Sequence, residues 1–183
     1  KGAANDEKDI TINIIEGYKL WVGGEQVTEE NKNNIIGDGI DGTVTYDPES
    51  KTLTLKDAII TGAKSAVSGS SQYRYNIYSD GMLNINLIGN NKVKGVDGTK
   101  FSSYGIKTDN GDLTISGTGV LIVDVGFENS NEYSIGIACN NNNRILIRGG
   151  TIKVSVKSDS CAYGINGHNI TISGGNVTTD GDG

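Results

Sequence analysis

A triplet of the form apolar–x–apolar returns along this chain at nearly constant intervals. That periodicity limits the folds open to it more than any other feature. Leu53-Thr54-Leu55, Leu83-Asn84-Ile85, Leu113-Thr114-Ile115, Ile145-Leu146-Ile147 and Ile170-Thr171-Ile172 begin 30, 30, 32 and 25 residues apart. Self-similarity at such a period marks a solenoid. The alternation has period two, and turn residues interrupt every run after a few positions, so the repeating unit is built of strands and not of helices. Each unit holds two further strand-like runs. One follows a glycine-bearing turn ("SGTG", "RGG", "SGG") and carries Val93, Val120-Leu121-Ile122-Val123, Ile152-Lys153-Val154 and Val177. The other follows a longer polar stretch and reads Tyr75-Asn76-Ile77, Tyr104-Gly105-Ile106, Ile135-Gly136-Ile137 and Tyr163-Gly164-Ile165. Three strands per unit with two tight corners and one variable loop predict an all-β chain wound as a right-handed parallel β-helix of about four to five coils.

The physics of such a coil assigns positions. Each strand pairs with its counterpart one coil away at about 4.8 Å, and inward residues at equivalent positions stack into ladders. The spacing predicts one ladder of Leu53, Leu83, Leu113, Ile145 and Ile170, beside a second of Leu55, Ile85, Ile115, Ile147 and Ile172. By parity Tyr75, Tyr104 and Tyr163 face inward with Ile77, Ile106 and Ile165, whereas Tyr78 and Lys107 face outward. The N-terminal part breaks the period, as a cap should. "YKLWVGGEQVT" reads as a hairpin around Gly23-Gly24, and "GTVTYDPESKTLTL" as a second one turning at Asp47-Pro48. The organisation expected is a flexible segment over 1–9 and a single β-helix domain over 10–183. Within it, 10–50 form the cap, with Trp21 sealing the first coil, and 51–183 form the coils. After Val177 the chain reads "TTDGDG" with no cap signal, so the expectation is either that the parent chain continues past Gly183 or that another molecule covers the last coil in an end-to-end contact.

The cap words carry a resemblance. "YKLWVGGEQVTEENKNNIIGDG" followed by "GTVTYDPESKTLTLKDAIITG", roughly residues 18–62, resembles a module of secreted or surface β-helix proteins of gut Firmicutes. Those proteins are often labelled carbohydrate-binding-domain-containing. The resemblance implies a secreted or cell-surface bacterial β-helix that binds carbohydrate, and it brings no catalytic residues with it.

Composition narrows the partners. The net charge is −6 and the sequence pI near 4.8, which argues against a nucleic-acid partner, since phosphate binding needs a basic face. No apolar stretch is long enough to span a membrane. The start "KGAANDEKD" is polar and small and reads either as a mature end left by processing or as an artificial boundary. Cys139 and Cys161 fall six positions apart along adjacent strands, roughly 20 Å by the strand rise, whereas a disulfide needs Cα atoms within about 7 Å.

Three positions beyond the third-run isoleucines stand Asp80, Asp109, Asn140 and His168, and one position further Gly81, Asn110, Asn141 and Asn169. Stacked asparagines form hydrogen-bonded ladders in repetitive β structures. Carboxylates one strand spacing apart share a cation or a proton, or splay. Asp80 and Asp109 are therefore the candidate calcium ligands, and no other cofactor is expected. Outward tyrosine suits stacking on sugar rings, so Tyr78, Asp80, Lys107, Asp109, Asn140 and His168 form the candidate ligand-binding set. "KTDNG" at 107–111 and "NGH" at 166–168 resemble the Asn-Thr-Asp and Gly-His motifs of polygalacturonases. The coil between them reads "ACNNNN" at 138–143 and lacks the second acidic pair that inverting hydrolysis requires. Arg144 and Arg148, on the first strand of the fourth coil, stand without an acidic cluster. The expectation is a non-catalytic module that binds carbohydrate or a host or cell-surface ligand. The alternatives are a structural spacer or adhesin stalk, and a polysaccharide lyase or glycoside hydrolase.

Overall fold

The computed structural model describes residues 17–96, 101–126, 132–140 and 142–182. The expected flexible segment 1–9, the first cap residues 10–16 and Asn141 lie outside the described residues. Every regular element among the described residues is a strand. The cap comprises β1 (Gly17–Val22), β2 (Glu25–Thr28) and β3 (Ile40–Asp47). The first coil follows as β4 (Thr52–Ile60), β5 (Lys64–Ser68) and β6 (Ser71–Ser79), and the second as β7 (Leu83–Ile88), β8 (Asn90–Lys94) and β9 (Ser102–Thr108). The third is β10 (Leu113–Gly117), β11 (Val120–Gly126) and β12 (Tyr133–Cys139). The fourth is β13 (Arg144–Ile147), β14 (Thr151–Lys157) and β15 (Cys161–Asn166), and β16 (Asn169–Ile172) and β17 (Asn176–Asp182) begin a fifth.

Strands one coil apart pair in parallel. β7, β10, β13 and β16 stack on one side, β8, β11, β14 and β17 on a second, and β6, β9, β12 and β15 on the third. The chain is thus a parallel β-helix of about four coils, as its period requires. Leu83, Leu113, Ile145 and Ile170 lie in one register column, and Ile85, Ile115, Ile147 and Ile172 in the next. The lower members of these ladders are fully buried in one continuous core. Each such burial contributes roughly 1.5–3 kcal/mol against the chain entropy it fixes.

The first coil departs from the expected register. Leu53 pairs with Ile85, not Leu83, and Leu55 with Leu87. The reason lies in β4, which runs unbroken past the corner that later coils turn. Its first half pairs with β7 and its end, Ile59 and Ile60, with β8. Asp57 takes up the irregularity with φ 50°, and its carboxylate accepts the amide of Asn90 at 2.8 Å. Asn91 fills the same corner, accepting from the Ala58 amide at 2.9 Å and donating to the carbonyls of Ile88 and Val120, each at 3.1 Å.

The bottom of the stack is closed by antiparallel strands. β1 pairs with the Ile77–Ser79 half of β6, β5 with its Ser71–Tyr75 half, and β3 with β4. An antiparallel neighbour ends the parallel ladder, which is how an exposed edge is managed. Both predicted hairpins form. Gly23 and Gly24 turn with φ 59° and 93°, matching a two-residue loop between Val22 and Glu25. Asp47 anchors the second turn by accepting the Glu49 amide and the Ser50 hydroxyl. The β5–β6 hairpin is an addition that the triplet period does not announce. At the top, Ile170 and Ile172 are exposed.

Candidate functional site

The outer face of the β6–β9–β12–β15 sheet is where the side chains with binding chemistry collect. Its composition follows from a break in alternation. A Cβ added to Gly105 would stand 2.5 Å from Val123 Cγ1, and one added to Gly136 2.1 Å from Val154 Cγ1. These glycines therefore face the core, and so do the isoleucines that follow them, Ile106 and Ile137, both fully buried. Two successive inward positions shift the parity of everything before them. Tyr75, Tyr104, Ile135 and Tyr163 share one register column, and that column faces outward, correcting the expected internal aromatic ladder. Opposite Val123 and Val154 the close-packed core leaves no room for a side chain at these two positions, and glycine fits there. In the first coil Asn76 takes the glycine's place, buried, with its amide donating to the carbonyls of Gly62 at 2.8 Å and Lys94 at 2.9 Å.

The outer face reads as three columns. Tyr73 stands beside Ser102, and Tyr133 beside Cys161. The tyrosine column comes next, followed by Tyr78, Lys107, Ala138 and Asn166. Rings touch along and across the strands. Tyr73 and Tyr75 stack with centroids 6.1 Å apart, Tyr75 and Tyr104 lie at 5.2 Å, and Tyr75 and Tyr78 at 4.9 Å. Trp21 joins them from below. It pairs opposite Tyr78 across β1 and β6, with ring centroids 5.7 Å apart. Leu20 and Val22, not Trp21, close the core, so Trp21 belongs to the platform rather than to the seal. The Lys64 ammonium sits 3.7 Å above the Trp21 ring and 5.0 Å from that of Tyr78. Burial among these rings lowers its pKa below the ordinary lysine value.

Four of the six sequence candidates form one hydrogen-bonded chain at the margin of this face. The Tyr78 hydroxyl donates to Asp109 Oδ2 at 2.8 Å. Lys107 Nζ lies 3.0 Å from Asp109 Oδ1 and donates to Asn140 Oδ1 at 2.9 Å. Burial, reinforced by the Asp109 carboxylate, pushes the Tyr78 phenol well above its ordinary pKa, so it stays protonated at neutral pH. Asp80 stands in a separate group. It accepts from Asn110 Nδ2 at 2.5 Å and pairs with Lys19 at 3.3 Å, and these donors hold its carboxyl below the usual range. Asp80 and Asp109 thus each face their own lysine rather than a common point. Among the described residues no three His, Cys, Asp or Glu side chains gather as metal ligands do. His168 is exposed at the upper end of the column.

Arg144 does have an acidic partner. Asp112 accepts from its Nη2 at 2.7 Å, its Nε at 3.0 Å and its backbone amide at 2.8 Å, tying two coils together at a corner. Both cysteines are free, and buried Cys139 stacks on Thr108.

Above Tyr104 the face opens into a cleft of roughly 380 Å³. Tyr73, Tyr104, Tyr133 and Tyr163 wall it, and Ile135 forms its floor. Tyr133 is 51% and Tyr163 43% exposed. Sequence reading missed this cleft because it placed Tyr104 and Tyr163 inside. The signal available was the recurrent glycine before isoleucine in "YGI", "IGI" and "YGI". No protein-family model, curated protein or solved structure matches the chain.

Proposed function

We propose that this chain is a non-catalytic carbohydrate-binding β-helix module of a secreted or cell-surface bacterial protein. Its binding face is the outer surface of the β6–β9–β12–β15 sheet. The observation that carries this reading is the row of surface tyrosines around the cleft. Tyrosine offers an apolar ring to the C–H face of a sugar and keeps its hydroxyl in water. The rigid sheet holds the rings in place before any ligand arrives, which lowers the entropic cost of binding. In this reading no bond is broken. The Tyr78 phenol is protonated and Asp109 is engaged by Tyr78 and Lys107, so neither stands ready as a base. The test is a polysaccharide panel probed by isothermal titration, with calcium and with chelator. Saturable binding without release of reducing ends supports the reading, and time-dependent release of reducing ends would replace it with an enzyme.

A second reading, a stalk built by end-to-end stacking, draws on the exposed ladder residues Ile170 and Ile172 over Ile145 and Ile147. Light scattering across a concentration series would show an Ile172→Lys-sensitive association in that case.

A further inference from the structure

We infer that Lys107, Asp109 and Asn140 form a self-processing site, which joins the Lys107 and Asn140 side chains by an amide bond, releases ammonia and locks the second coil to the third. The site lies at the margin of the sheet, apart from the cleft, and does not depend on whether the face binds a sugar.

Register brings the three groups together. Lys107 and Asp109 stand two residues apart at the end of β9, so their side chains leave the same side of the sheet. One coil up, Cys139 pairs with Thr108, which sets Asn140 beside Asp109, and the Asn140 amide donates to the Thr108 carbonyl at 3.2 Å. Lys107 Nζ lies 3.0 Å from Asp109 Oδ1 and 2.9 Å from Asn140 Oδ1. Asn140 Cγ is one C=O bond beyond that oxygen, so Nζ is within about 4 Å of it. Attack needs about 3–3.5 Å. The last torsion of an asparagine side chain is soft, so the carboxamide can turn its carbon toward the amine. The Lys107 side chain is only 14% exposed and that of Asp109 24%. Asp109 Oδ1 is shut off from water and makes no aligned hydrogen bond, which leaves the ammonium as the group it faces. The Tyr78 hydroxyl holds the other carboxylate oxygen, and the Tyr104 ring lies 5.2 Å from Nζ.

The chemistry balances with these groups alone. Asp109 takes a proton from the Lys107 ammonium and frees the nitrogen lone pair. Nζ attacks Cγ, and the carbonyl π pair moves to Oδ1. That pair returns as the Cγ–Nδ2 bond breaks. A second lysine proton follows over Asp109, and the departing nitrogen carries both away as ammonium. One amide replaces another, nothing is oxidised or reduced, and Asp109 is regenerated. Asn140 is exposed, which gives the ammonia a way out. Closed to a bound sugar by its two partners, Asp109 acts here only on the proton it already faces. Holding amine and carboxamide in one geometry replaces a bimolecular encounter, the step that makes amide exchange slow in water.

The same residue types meet one coil lower in a different order. There Lys19 Nζ lies 3.3 Å from Asp80 Oδ2, and Asn110 donates to Asp80 Oδ1. The carboxylate separates the ammonium from the amide, and the Lys19 side chain is 75% exposed. No bond is expected between Lys19 and Asn110.

The test is the intact mass of the folded chain after several days at neutral pH, followed by digestion and sequencing of the peptides by mass spectrometry. The expected result is a mass lower by one ammonia, about 17 Da, with a branched peptide joining Lys107 to Asn140 and no tryptic cleavage after Lys107. Lys107→Arg, Asn140→Ala and Asp109→Ala, each checked for an unchanged circular dichroism spectrum, should keep their full masses. The linked chain should melt on the order of 10 °C above Lys107→Arg, because a cross-link restricts the unfolded chain. A full mass, with Lys107 and Asn140 in separate peptides, would overturn the inference. So would an ammonia loss that persists in Lys107→Arg, the mark of a succinimide at Asn110-Gly111 or Asn166-Gly167. Linkage that persists in Asp109→Ala would overturn the role given to that carboxylate.

Discussion

Gly136→Ala is the substitution that bears most directly on how the tyrosine face arises. An added Cβ there would lie 2.1 Å from Val154 Cγ1 and 2.6 Å from the carbonyl oxygen of Gly164. Carbon atoms in ordinary contact sit about 3.5–4.0 Å apart, so the overlap with the Val154 methyl is well over an ångström. Val154 can turn about one bond, but the Gly164 carbonyl belongs to the ladder of the next coil and cannot. Overpacking of this kind costs about 1–3 kcal/mol. With a backbone atom involved, the upper half of that range is expected, about 2–3 kcal/mol. Urea unfolding followed by circular dichroism reads it as a shift in midpoint. Val154→Ala removes one of the two clashing partners. The double variant should therefore be more stable than the sum of the single changes predicts, by about 1 kcal/mol. A loss below about 0.5 kcal/mol, with additive single and double variants, would mean that Gly136 does not face Val154, and the outward placement of Ile135 and Tyr163 would lose its cause.

Three further outcomes check other parts of the structure. Ile115→Ala, at a fully buried ladder position, should cost about 2–5 kcal/mol, whereas Ile172→Ala, 53% exposed at the top of the same ladder, should cost under about 1 kcal/mol. Asp80 and Asp112 have folded pKa values held below their ordinary range, Asp80 first by Asn110 and then by Lys19, Asp112 by the backbone and side chain of Arg144. Their stabilisation is complete above the unfolded carboxylate pKa of about 4 and fades as pH falls through the folded values. Asp112→Asn should therefore lower the melting temperature at pH 7 and flatten its fall below pH 4. Ellman's reagent should titrate Cys161 in the native protein and Cys139 only after unfolding, because Cys139 is buried and burial raises its thiol pKa.

Much of the coil was legible because each run is short and bounded by turn residues. Leu83, Leu113, Ile145 and Ile170 sit in register as their spacing demands, and so do the columns around Asp109 and Asn140. The bonds from Tyr78 to Asp109 and from Lys107 to Asn140 follow directly from that register. Leu53 was misplaced by two residues because β4 begins at a hairpin rather than at a coil corner, and the even count to Leu83 conceals the offset. The tyrosines were misplaced because strict alternation was assumed across a glycine that the core requires. Trp21 follows the same logic in reverse. Leu20 and Val22 on either side of it are the inward residues, so regular alternation along β1 carries its ring to the surface.

Hydroxyl-radical footprinting of the tyrosines, with and without a saturating polysaccharide, tests the binding face most directly. Protection concentrated on Tyr133 and Tyr163, with Tyr18 and Tyr46 unchanged at the opposite end of the chain, is the result expected of a cleft on the outer sheet. Saturable binding that leaves Tyr133 and Tyr163 as reactive as before would contradict it and move the site elsewhere on the molecule.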